Sequence, residues 1–132
     1  MNLSFIKDAI LSGAGSFSSV VFVQQCSHLR LVKRNFYLFE IFVSDESFSL
    51  FKILFWSEDA TYAASQITVG TFLYFPNIHI NTGIDVGSAD KSFIVVALNS
   101  LPAKLENQIV VYKRIRELED WITTSSFRYT RY

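Results

Sequence analysis

A chain of 132 residues, half of them hydrophobic and 16% aromatic, is sized for one domain with a real core, which excludes a disordered linker. Its 12 basic and 12 acidic residues cancel, so a globally basic nucleic-acid clamp is excluded and any such site must be local. A single cysteine, Cys26, excludes a disulfide framework and a cysteine metal cluster, and no apolar run reaches the roughly 20 residues of a membrane span.

Residues 4–11 place apolar side chains at Phe5, Ile6, Ala9 and Ile10 before Gly13 and Gly15, which predicts a short helical turn. Lys7 and Asp8 in its middle spoil a secretory apolar core, and a soluble intracellular domain is expected. Residues 17–26 are β-branched and aromatic, a first strand, and the polar stretch 27–34 carries His28, Arg30, Lys33 and Arg34.

Residues 35–44 and 48–56 predict a hairpin turning at Asp45-Glu46-Ser47. Side chains alternate between the faces of a strand. Tyr37, Phe39, Ile41 and Val43 therefore share one apolar face, with Phe51, Ile53 and Phe55 beside them in the core. Phe36, Leu38, Glu40, Phe42, Phe48, Leu50, Leu54 and Trp56 are expected on the other. A three-residue loop sets Glu40 across from Lys52, an opposite-charge pair that sheets favour, and Phe36 across from Trp56.

Ser57 reads as the N-cap of a helix over 60–67, with Glu58 and Asp59 at the positive end of its dipole and Gly70 closing the segment. Residues 71–80 form a fourth strand with Pro76 at a bulge or edge, 81–91 a polar loop, and 92–98 a fifth strand. A charged helix follows over 109–123, and 127–132 reads as a tail.

Strand, strand, strand, helix, strand, strand is the order of the OB-fold, a five-stranded β-barrel, here with a C-terminal helix. The expected organisation is a helical lead-in over 1–16, one OB domain over 17–125, and a tail over 126–132. The sequence also resembles the OB domains of the replication protein A large subunit over roughly residues 17–98. Val43-Ser44-Asp45-Glu46 matches the turn after the second strand. Phe55-Trp56-Ser57-Glu58-Asp59-Ala60 matches the end of the third, with Phe in place of the usual aliphatic residue before the Trp. Val69-Gly70 leads into Thr71-Phe72-Leu73-Tyr74-Phe75 and Asn77 as in the family's fourth strand. The loop over 81–91 lacks the aromatic residue that often stacks a base there. The resemblance implies a module that binds single-stranded DNA in replication, repair, recombination or DNA-end protection, in the nucleus and within a larger complex. The alternative is an OB subunit that serves only as a protein-interaction scaffold.

Candidate nucleic-acid contacts follow from residue chemistry. Cations track the backbone and aromatic faces stack the bases. Arg30, Lys33 and Arg34 lie in the connection after the first strand, where OB-folds bind oligonucleotides, and Lys52 and Lys91 could extend the groove. Phe36 and Trp56 are candidate stacking platforms, each also able to pack under the C-terminal helix or a neighbouring domain. So large an apolar outer face calls for cover. Leu38, Phe42, Phe48, Leu50 and Leu54, together with the helical stripe Ile115, Leu118, Trp121 and Ile122, are candidates for contact with another subunit or a neighbouring OB domain. The stripe could instead pack on its own barrel.

No catalysis, metal or cofactor is expected. His28 and His79 are the only histidines, no HExxH, CxxC or GxSxG pattern is present, and Gly13-Ala14-Gly15 precedes the first strand rather than following one.

Overall fold

Alternating apolar residues build the barrel, and the computed structural model describes residues 3–81, 83–96 and 108–124 of it. The elements are α1 (Ile6–Leu11), β1 (Ser16–Cys26), β2 (Arg30–Lys33), β3 (Phe36–Ser44), β4 (Phe51–Trp56), α2 (Ser57–Gln66), β5 (Phe72–Asn81), β6 (Val86–Ser88), β7 (Ile94–Val96) and α3 (Gln108–Thr124).

β1 pairs antiparallel with β3 and with β5, β3 with β4, and β5 with β6, while β4 and β6 run parallel. The ring β1–β3–β4–β6–β5 therefore closes on itself, which removes the free strand edges of an open sheet. β6 and β7 lie along the same edge of β5, β6 beside Asn81, Ile80 and His79 and β7 beside Tyr74, Leu73 and Phe72. They are two halves of one broken fifth strand. The expected fifth strand over 92–98 is its second half, its last two residues lying outside the described ones. The first half sits inside the expected loop over 81–91.

Phe39, Ile41 and Val43 of β3 and Phe51, Ile53 and Phe55 of β4 are buried in the barrel with Val21, Val23, Leu73, Phe75, Ile78 and Phe93. Tyr37 is the exception to the expected core: it is 40% exposed, because the start of β3 leaves the barrel and pairs with β2 as a two-stranded ribbon. Phe48, expected outside, packs against the interior, its ring edge-on to Phe51 at 5.9 Å. Gly87 on β6 stands where a Cβ would come within 2.8 Å of Phe51 Cε2 and 2.9 Å of Ile78 Cγ2, so only glycine fits.

The β3–β4 register also differs from the expected one. The connection spans 45–50, and Leu38 lies opposite Trp56, Glu40 opposite Leu54, and Phe42 opposite Lys52. The cause is Asp45, whose buried carboxylate organises the turn. Its Oδ1 accepts from the Ser47 amide at 2.8 Å and the Phe48 amide at 3.1 Å, and Oδ2 accepts from the Ile6 amide at 2.9 Å. The turn is thus longer, and it holds α1 against the barrel, where Ile6 and Ala9 join the core. A shift of two residues keeps the side chains paired between β3 and β4 on their assigned faces.

α3 packs on the outside of β1, β5 and β7. Val111, Ile115 and Leu118 are buried against Val20, Phe22, Phe72, Tyr74 and Val96, with Trp121 and Ile122 partly buried beside them. Each fully buried aliphatic side chain contributes about 1.5–3 kcal/mol. Ile115 and Leu118 thus face their own barrel, and the expectation that they contact a partner is corrected. No helix among the described residues is long and apolar enough to cross a membrane.

Candidate nucleic-acid interface

β2 and β3 meet in a tight turn at Arg34-Asn35, where Asn35 takes φ 58°, a left-handed conformation that asparagine tolerates. The resulting ribbon carries Arg30, Leu31, Val32, Lys33, Arg34, Phe36 and Tyr37, all exposed. The polar connection expected over 27–34 is therefore partly a strand. The available signal was the pair Leu31-Val32 ahead of a turn-forming asparagine.

Two registers align across the ribbon and the barrel. Arg30 lies opposite Leu38 on β3, and Leu38 opposite Trp56 on β4, so a cation, an aliphatic side chain and an indole form one row across three strands. Leu38 is buried in the middle of that row, whereas Trp56 is 44% exposed. The row places Leu38 within the chain's own packing, which corrects its expected role in a partner contact. Phe36, expected opposite Trp56, lies opposite Lys33 instead and is 53% exposed.

The next rows hold Glu40 beside Leu54 and Phe42 beside Lys52. Glu40 forms ion pairs with both cations, its Oε1 2.9 Å from Arg30 Nη1 and its Oε2 3.5 Å from Lys52 Nζ. The Lys52 ammonium also sits 5.6 Å from the centre of the Phe42 ring, a cation–π arrangement. The sequence expected the Lys52–Glu40 pair, which survives diagonally rather than directly across. The Arg30–Glu40 pair was missed because it depends on β2 folding back onto β3. Lys33 and Arg34 make no ion pair among the described residues. This end of the sheet thus carries Arg30, Lys33, Arg34 and Lys52 against one carboxylate, a local positive excess in a neutral chain.

Phe42 and Leu54 are half-buried on the same outer face, and Leu50 is exposed in the 45–50 turn at φ 57°. Trp56 ends β4 immediately before α2. Ser57 takes φ 58° there, and no side chain caps the helix, so the expected Ser57 cap is replaced by a sharp backbone reversal. Lys91 belongs elsewhere: its amide donates to Asp59 Oδ1 at 3.1 Å, and it lines a cleft of about 390 Å³ with Tyr62, Gln66 and Phe93, none of them on the β2–β3–β4 face.

Burial pushes the Cys26 thiol up to about 11, which keeps it protonated and a poor nucleophile. Among the described residues no cluster of three or more His, Cys, Asp or Glu could hold a metal ion.

No protein-family model matches the chain, and no curated protein matches it. Among solved structures it is similar to a chain of a replication protein A heterotrimer bound to single-stranded DNA, with 14% sequence identity and a TM-score of 0.63. The match covers 100% of this chain and 31% of that one, so the chain spans about a third of its relative's length. Together with the closed ring of five strand paths and the helix between the third and fourth, the likeness establishes an OB-fold.

Proposed function

We propose that the chain is a non-catalytic module that binds single-stranded DNA across the outer face of β2, β3 and β4. The observation that carries this reading is the row Arg30–Leu38–Trp56, which ends in an exposed indole and begins in a ribbon bearing Lys33 and Arg34. Exposed aromatic faces beside backbone-tracking cations are what unstacked bases and phosphates require. The likeness to a chain of a DNA-bound heterotrimer supports the same reading, as does the sequence resemblance to replication protein A. On that resemblance the module acts in replication, repair, recombination or DNA-end protection, in the nucleus and beside other subunits.

A second reading rests on a separate observation. Leu31, Phe36, Tyr37 and Leu50 are exposed, and Glu40 occupies two of the four nearby cations, which suits a protein-docking scaffold. Titration of fluorescent oligo-dT at two salt concentrations separates the readings. Micromolar or tighter binding that weakens with salt supports DNA contact. Absence of binding at low salt replaces it with the scaffold.

A further inference from the structure

We propose that Glu40 is a built-in competitor for the nucleic-acid backbone, holding Arg30 and Lys52 in the free protein so that a bound strand must draw both cations from it. The inference rests on the DNA-binding reading above. Glu40 sits midway along β3, and its direct neighbour on β4 is the apolar Leu54, so its carboxylate turns to the two diagonal cations, one oxygen each. Their burial is unequal. The Glu40 side chain is only 14% exposed, whereas those of Arg30 and Lys52 are 50% and 39% exposed. The cations therefore present their open sides to solvent with the carboxylate behind them. Each keeps spare N–H donors, since a guanidinium has five and an ammonium three. A phosphate arriving from solvent can engage both, but it does so against a fixed negative charge a few ångströms away.

The site's cations then fall into two pairs. Lys33 and Arg34, without ion pairs among the described residues, attract the strand at full strength. Arg30 and Lys52 contribute only to the extent that phosphate outcompetes Glu40. A neutral chain with a partly neutralised groove binds modestly and releases readily, which suits a module that shares a strand with neighbouring domains.

The test is oligo-dT binding by fluorescence anisotropy over a salt series, with wild type and Glu40→Gln. Removing one charge at this range is expected to tighten binding roughly three- to tenfold at low salt. Freeing two cations for phosphate should steepen the log–log salt slope by up to about 1.4 units, at about 0.7 per phosphate on a single strand. Glu40→Thr, a residue suited to a strand, should act in the same direction and serves if the glutamine variant does not fold. The gain should vanish when Arg30→Ala and Lys52→Ala are added. Asp120→Asn on α3 makes the same change in net charge and should leave binding unchanged. Unaltered or weaker binding by both Glu40 variants, or equal tightening by Asp120→Asn, overturns the inference while a salt-sensitive wild type leaves the DNA-binding reading intact. Absence of binding by wild type and both variants overturns the two together.

Discussion

Glu46 and Arg114, separated by 68 positions in sequence, meet in a two-pronged ion pair, with Arg114 Nη1 donating to Glu46 Oε2 at 2.7 Å and Nη2 to Oε1. The same guanidinium lies 4.6 Å from the centre of the Phe5 ring. One side chain of α3 thereby ties together the turn after β3 and the N-terminal segment, three parts of the chain that share no local sequence. Planar, paired hydrogen bonds of this kind suit arginine and not lysine.

Arg114→Ala should therefore destabilise the domain by about 1–3 kcal/mol, since it removes charge-assisted hydrogen bonds at a mostly buried position. Arg114→Lys should recover only part of that loss. Urea unfolding of both variants checks the prediction, and a change within the error of wild type would mean that the pair does not hold α3 in place.

Gly87→Ala should cost about 1–3 kcal/mol, because the added methyl meets the Phe51 ring and Ile78 inside a closed barrel. A companion Phe51→Leu substitution, which clears the ring, should offset part of the loss. A double-mutant cycle on thermal or urea unfolding reads that coupling.

Trp56→Ala should weaken oligo-dT binding by roughly 1–3 kcal/mol without changing the salt slope, since stacking releases no counterions. Lys33→Ala with Arg34→Ala should do the opposite, lowering the slope by about 0.7 for each phosphate that is no longer neutralised. Trp56 is exposed, so its replacement should leave the unfolding midpoint near that of wild type. A variant that unfolds would assign the indole to packing rather than to binding.

Cys26 should alkylate slowly. Its thiol is raised to about 11 by burial, so at pH 8 the thiolate is scarce, and iodoacetamide should react about two orders of magnitude slower than with a free cysteine. The rate should climb as pH rises toward 11. A fast reaction at pH 8 that persists under fully native conditions would contradict the burial of the sulfur.

The barrel interior was largely legible in the sequence. Phe39, Ile41, Val43, Phe51, Ile53 and Phe55 alternate with polar or outward residues, and a strand has only two faces, so periodicity assigns each side chain without knowledge of the partner strand. The assignment even survived a wrong loop length. The turn held by Asp45 moved the register by two residues, and an even shift returns each residue to its own face.

The candidate site was legible as a set of residue types but not as an arrangement. Arg30, Lys33, Arg34, Lys52, Phe36 and Trp56 stood out as cations and aromatics in a neutral chain. That Arg30 shares a row with Trp56, and that Glu40 holds both Arg30 and Lys52, depends on β2 folding back over β3. Lys91 looked equivalent to these cations in sequence and lines another cleft, because the fifth strand breaks inside the segment expected to be a loop.

By itself the sequence determined the alternation of faces and the order of the barrel's main strands and helices. Those depend on neighbours along the chain, where a side chain's direction follows from its position. Tertiary structure alone decided which face α3 covers, where Tyr37 and Phe48 lie, and which charges meet. Those outcomes depend on closure between segments tens of residues apart, such as Ile6 on Asp45 and Arg114 on Glu46, and no local periodicity encodes the partner at that distance.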